Sequence, residues 1–456
     1  MSERRSDDQT KAEGRRHDLL TQPVERLVCK MAVPTVISML VTSVYNLADT
    51  FFVGQIGSNT AIGAVGLSLS YMSAMQAFGC FYGHGSGNYI SREIGGGRYE
   101  KAASMAATGF FLSVITGCVF GTVGLLARRD LCLLLGSTPT MLADTMSYMT
   151  FILMASPFLM GSYTLNNQLR LQGNSLFSMI GLASGAVMNM VLDPVFIFVL
   201  GMGVSGAALS TCVSEITSFT ILLIGCKKSS NVDIRWKNFS VSGKLVREIC
   251  AGGLPSLGRQ GLASVSVLVL NRLAGGFGDA AIASFSVVTK IVNISSAAVL
   301  GFGQGFQPVC GFNYGAGNID RVRKAFWFSV RLSTALLILI AVCLWFLSPS
   351  LVSIFSADPE VVSLGSRILR CQILSMPILG WIIVSNMFLQ NIRMVVPACI
   401  VAMSRQGIAF LPLVLALPAL WGLSGLALAQ PLADFVTFAI SVPFTRKALV
   451  GLGAKR

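Results

Sequence analysis

AIGAVGLSLSYMSAMQAFGCFYGHG, residues 61–85, returns 220 positions later as AIASFSVVTKIVNISSAAVLGFGQG, residues 281–305. Each copy exceeds the roughly 20 predominantly apolar residues that carry a helix across hydrocarbon. The same offset aligns Gly95 with Gly315, Gly97 with Gly317, Pro157 with Pro377 and Asn166 with Asn386, and a slip of one residue aligns GVSGAAL at 203 with GLSGLAL at 422. A fixed internal period of this length marks a duplicated bundle.

Outward from that pair, about twelve apolar spans can be placed between residues 31 and 444, six in each copy. An even number keeps both halves in one orientation, related by an axis along the membrane normal. The expected fold is an all-α membrane protein of about twelve transmembrane helices, in two pseudo-symmetric six-helix bundles with a central cavity for the ligand. The expected boundaries are a polar cytoplasmic tail at 1–25, an N-lobe at 26–226, a charged cytoplasmic linker at 227–247, a C-lobe at 248–445 and a second cytoplasmic tail at 446–456.

Composition excludes the soluble alternatives. Of 456 residues, 53% are hydrophobic and 12% charged, too little polar surface for a water-soluble globule. The first 25 residues hold no apolar core, so no cleaved signal peptide is expected. The net charge of +14 sits in short connections such as SREIGGGRYEK, KKSSNVDIRWKNFSVSGK and RVRK, which favours membrane topology over a nucleic-acid partner. The positive-inside rule then places both termini in the cytoplasm and the chain in the cytoplasmic (inner) membrane. Eleven cysteines, odd in number and never spaced CxxC, frame neither a zinc site nor a disulfide scaffold.

Of twenty acidic residues, Asp49, Asp193, Glu215 and Asp434 lie well inside apolar spans. An aspartate at the bilayer centre costs about 2.5 to 3.5 kcal/mol on insertion scales, so each needs a reason. In MNMVLDPVFIFVL, residues 188–200, Asn189 precedes Asp193 by four and shares its helical face. Pro194 has no N–H for the Met190 carbonyl, which predicts a kink and an exposed backbone oxygen. Carboxylate, amide and carbonyl oxygens suit a small alkali cation or a proton held on the carboxyl; the plainer alternative is a hydrogen-bonded pair around a proline kink. Asp49, in NLADTFFVGQIG, is either a second site residue or an interfacial one. The repeat counterparts of these two acids are close to Leu270 and Pro412, so neither acid is needed by the duplicated scaffold.

Glu215 and Asp434 are repeat partners, which suggests a shared structural role. Lys290 replaces Ser70 and is a candidate cavity charge, against the plainer reading of a snorkelling side chain; Arg405 replaces a small residue near Gly185. Tyr45, Phe51, Phe158 and Tyr163 offer stacking surface or simple packing. His84 reads as a packed histidine, and the GFGD stretch at 276–279 lacks the partner acid an intramembrane protease needs. No catalytic constellation is present in the sequence, so an enzyme is not expected.

Taken together, NLADTFFVGQIG, ISREIGGGRYEKA, LNNQLRLQGN and MNMVLDPVFIF followed by GVSGAALST resemble the multidrug and toxic compound extrusion (MATE) transporters over residues 26–445, and among them the prokaryotic DinF-like and MepA-like members. The resemblance implies a secondary antiporter, needing no cofactor beyond its coupling ion, that exports cationic or amphiphilic drugs against inward Na+ or H+ by alternating access of two lobes. It also implies an ion-coupling site at Asp49, Asn189, Asp193 and Thr211, able to take Na+, and a monomer working in the lipid bilayer. NorM-like members place acids in the seventh and tenth helices instead, where this chain has none and where Arg259 interrupts the seventh span. The rival transport reading is a lipid-linked oligosaccharide flippase, which needs a more cationic cavity; an intramembrane hydrolase is the rival outside transport.

Overall fold

The computed structural model describes residues 13–56, 58–229, 232, 234–356 and 358–452. The outermost parts of both tails and positions 230, 231 and 233 of the charged linker lie outside the described residues. All regular structure among the described residues is helical. In chain order the long helices are α1 (Val24–Gly54), α2 (Asn59–Gly95), α3 (Tyr99–Leu126), α4 (Leu142–Leu171), α5 (Ser175–Pro194), α6 (Gly203–Ser229), α7 (Gly243–Gly275), α8 (Asp279–Gly315) and α9 (Ile319–Ser353). They are followed by α10 (Pro359–Ile373), α11 (Met376–Asn391), α12 (Val395–Met403) and α13 (Phe410–Gly451).

Among the described residues, eight helical stretches are long and apolar enough to cross a membrane, or nine if α10 and α11, bent by 51° at their junction, form one span. The helices α4 and α7 are as long but carry polar stretches, NNQLR in the first and GRQ in the second. The run from Val395 to Gly451 contains two arms, because Trp421 and Gly422 leave helical geometry inside it. With these, the helices supply the two sets of six that the repeat predicts. Gly203 and Gly422, aligned by the repeat, both adopt φ 55°, a left-handed turn that a side chain would strain.

Two compact units are present. The first comprises Met1–Gln22 and Ile37–Leu257, the second Pro23–Val36 and Gly258–Arg456. Both α1 and α7 therefore pass from one unit to the other, and each carries a proline, Pro34 and Pro255, close to the residue where it does so. In the first unit α4 packs against α2, α3, α5 and α6. Its polar NNQLR stretch bonds within the unit: the Gln168 amide donates to Ser86 Oγ at 2.9 Å, and buried Arg170 meets His84 Nε2 at 3.3 Å while His84 Nδ1 lies 3.1 Å from the Cys80 carbonyl. His84 is thus the packed histidine expected.

The duplication persists at the level of single bonds. Asn166 Nδ2 donates to the Ser178 carbonyl at 2.9 Å, and Asn386 Nδ2 donates to the Ala398 carbonyl at 2.8 Å. Both ends of the bond move by the same 220 positions, so the offset read from the sequence holds at the start of α5 and of α12.

Candidate ion and substrate site

The fifth span does not break at Pro194. Instead α5 runs through the proline and continues as a wider π-helical turn, Val195–Val199, in which the Leu200 N–H reaches the Val195 carbonyl at 2.9 Å. Pro194 removes one donor from the ladder, and the i to i+5 pattern re-registers the chain beyond it. The irregularity expected at the proline takes the form of a π turn directly after it.

One turn before it, Asn189 and Asp193 are buried and coupled. With its amide nitrogen turned toward Asp193, Asn189 donates to Oδ2 at 2.8 Å, and its oxygen accepts from Ser210 Oγ, Thr211 N–H and Thr211 Oγ1, each at 3.3 Å. The amide orientation follows from this network, since only one orientation satisfies both ends. The Ser210 hydroxyl also lies 3.2 Å from the Asn189 carbonyl, stitching α6 to α5. Gly185, one turn back, allows that approach. A Cβ there would stand 2.9 Å from Ser218 Cβ and 3.1 Å from the Ser214 carbonyl.

Asp49 arrives from α1 and is buried, with its charge acting on that of Asp193. Tyr148 of α4, which the sequence did not single out, is buried in the same unit, in the electrostatic field of both carboxylates. One oxygen of each acid, Asp49 Oδ1 and Asp193 Oδ1, is buried without a hydrogen-bond partner. So Asn189, Asp193 and Thr211 are joined by hydrogen bonds inside the first unit, and Asp49 belongs to the same unit with its charge acting on Asp193. Two orphan carboxylate oxygens beside an amide and a hydroxyl form a hard-oxygen set that a proton or a small cation would complete.

Beside this cluster is a cavity of about 40 Å³, lined by Asn189 and Thr211 and by Tyr45, Tyr163, Gly185 and Glu215, among others. Glu215 was expected to share a structural role with Asp434. It does not. Asp434 is buried in the second unit, where Arg405 Nε donates to Oδ1 at 2.9 Å, Gln430 Nε2 donates to the same oxygen at 3.0 Å and Ser375 Oγ donates to Oδ2 at 2.8 Å. Glu215 has no ion pair among the described residues and faces the cavity instead. Of the aromatics, Tyr45 and Tyr163 line this cavity, Phe158 packs edge-on against Phe219, and Phe51 is exposed. Lys290 lies exposed on α8.

The family model named MatE matches this chain twice, over residues 34–195 and 255–415, one match for each copy of the repeat. The chain belongs to the MatE family. The multidrug export protein MepA of Staphylococcus haemolyticus (strain JCSC1435) is 26% identical over 409 residues, covering 89% of each chain. MepA of Staphylococcus aureus (strain MRSA252) is 25% identical over 415 residues, covering 90% of this chain and 91% of its own. Among solved structures, a MATE in complex with MaL6 superposes with a TM-score of 0.91 at 23% identity, over 96% of this chain and 99% of that one. An outward-facing multidrug resistance MATE transporter of the MOP superfamily gives 0.90 at 23% identity, over 96% and 98%. This MatE protein therefore has the twin-lobe membrane fold of those structures, and the repeat seen in its residues is the repeat of its family.

Proposed function

We propose that this MatE protein is a secondary antiporter of the cytoplasmic membrane, with both termini in the cytoplasm, exporting cationic or amphiphilic small molecules in exchange for inward Na+ or H+. The observation that carries the reading is the pair of buried orphan oxygens, Asp49 Oδ1 and Asp193 Oδ1, held in one unit with no cationic side chain paired to either acid among the described residues. Two carboxylates in a dry interior are costly to keep charged unless a proton or a cation joins them. The export names of the MepA relatives support the direction and the cargo class.

In this mechanism, Asn189, fixed by Ser210 and Thr211, holds Asp193 toward Asp49. When Na+ or H+ enters, the local negative charge falls and so does affinity for a cationic cargo in the adjoining cavity. Loss of charge also makes the closed packing around α5 less costly, which ties cargo release to ion entry through alternating access of the two lobes. The flippase reading draws on Lys290, Arg259 and Arg405 as cavity cations, and of these Arg405 is engaged by Asp434.

The test is flux of a fluorescent organic cation in proteoliposomes under separately imposed Na+ and H+ gradients. Gradient-driven uptake of the dye under one of them is expected. Flux that ignores both gradients would overturn the antiport reading.

A further inference from the structure

Glu215 and Asp434 stand at equivalent positions of the two copies, and one side chain separates their surroundings. Two anchors bracket the comparison, the matched Asn166 and Asn386 bonds at an offset of 220 and the matched left-handed glycines Gly203 and Gly422 at 219. Between those anchors Arg405 aligns with Gly185 at an offset of 220 and with Ala186 at 219, a small residue lining the first unit's cavity in either register. In the second unit the Arg405 guanidinium meets the Asp434 carboxylate. In the first unit there is no side chain at Gly185, and the cavity that Gly185 lines is also lined by Glu215. The Ser214 and Ser218 hydroxyls, on the same wall, are buried without a hydrogen-bond partner.

We infer that this cavity is a subsite for a planar guanidinium or amidinium group of the cargo, bound by Glu215 as the second unit binds its own Arg405. The inference rests on the export reading above and adds to it a specificity-determining residue. A guanidinium or amidinium presents parallel N–H donors that match a carboxylate in two-point geometry, which a point charge does not. Remaining N–H groups reach the acceptor lone pairs of Ser214 and Ser218. Tyr45 and Tyr163 supply aromatic faces for a delocalised cation. Size argues the same way: about 40 Å³ admits roughly three or four non-hydrogen atoms, given about 10–15 Å³ per water. That is a flat head group, not a tetrahedral phosphonium or quaternary ammonium. The second unit fills its equivalent place internally, so this recognition belongs to one lobe.

The experiment measures binding of two probes to the purified full-length protein in nanodiscs: propamidine, a bis-amidinium, and tetraphenylphosphonium, a cation without N–H groups. Glu215→Gln is expected to weaken propamidine at least tenfold more than tetraphenylphosphonium, and Glu215→Asp to recover part of that selectivity. Equal losses for both probes, or no loss, would overturn the assignment. Should Glu215→Gln fail to fold, Glu215→Asp alone decides, with selectivity expected to fall at least threefold and an unchanged ratio counting against the subsite. Wild-type protein that shows this selectivity but no ion-driven flux contradicts the export reading and leaves the subsite standing. Wild-type protein that binds neither probe contradicts both.

Discussion

Asn189 and Asp193 are joined across one turn of α5, amide nitrogen to Oδ2 at 2.8 Å, while the other oxygen of Asp193 is left without a partner. The acid is thus oriented but incompletely satisfied. That combination is what the proposed coupling site requires, since the open oxygen is left for a proton or a cation.

Asp193→Asn keeps the shape and the Asn189 contact and removes the charge. Gradient-driven dye export by this variant is expected to fall at least tenfold, with its melting temperature close to that of the wild type. Export at the wild-type rate would remove Asp193 from the coupling site.

Arg405→Ala strands Asp434, whose carboxylate is almost fully buried. Removing one partner of such a pair is expected to cost about 3 kcal/mol or more, read as a clear drop in melting temperature. Adding Asp434→Asn should restore part of it, since the uncompensated charge is the source of the loss. Independent, additive losses would show that the two side chains do not act as a pair.

Gly185→Ala introduces a Cβ 2.9 Å from Ser218 Cβ and 3.1 Å from the Ser214 carbonyl. Because the second contact is to backbone, α5 and α6 must separate. The variant is expected to lose about 1 to 3 kcal/mol of stability, the usual cost of overpacking, and to bind cationic dye more weakly. Unchanged dye affinity would mean that the close approach of these helices does not shape the cavity.

Lys290→Met removes an exposed cation from α8. Transport of cationic dye is expected to persist at the wild-type level. A selective loss for anionic or zwitterionic cargo would return the flippase reading to consideration.

Much of this was legible in the residues. The repeat of 61–85 at 281–305 carries the duplication, and the i, i+4 spacing of Asn189 and Asp193 places them on one face before any coordinates are seen. The polar stripe of α6 was equally visible and was missed. Thr211, Ser214, Glu215 and Ser218 follow helical spacing of three and four, so Ser214 and Ser218 share a face with the two residues of that helix already marked, Thr211 and Glu215. Symmetry misled at Glu215: a repeat preserves position but not the neighbour, and whether an acid is neutralised depends on a residue one helix away, small at Gly185 and Ala186 in one copy and Arg405 in the other. Tyr148 could not be read at all, since its role depends on how α4 meets α1, α5 and α6. The π turn after Pro194 was likewise hidden, because a proline fixes the missing bond but not which ladder replaces it.

The central claim is that ion and cargo compete for the charge of Asp49 and Asp193, and equilibrium binding of a cationic dye to the purified protein, titrated against Na+ and against pH, tests it most directly. Raising Na+, or lowering pH if protons are the coupling ion, should weaken dye binding, and linkage makes the effect reciprocal. Asp49→Asn and Asp193→Asn should each abolish most of that dependence, and the double variant should lose little more than either single one, as expected for two acids that titrate as a unit. Dye affinity in the wild type that responds to neither Na+ nor pH would contradict the account.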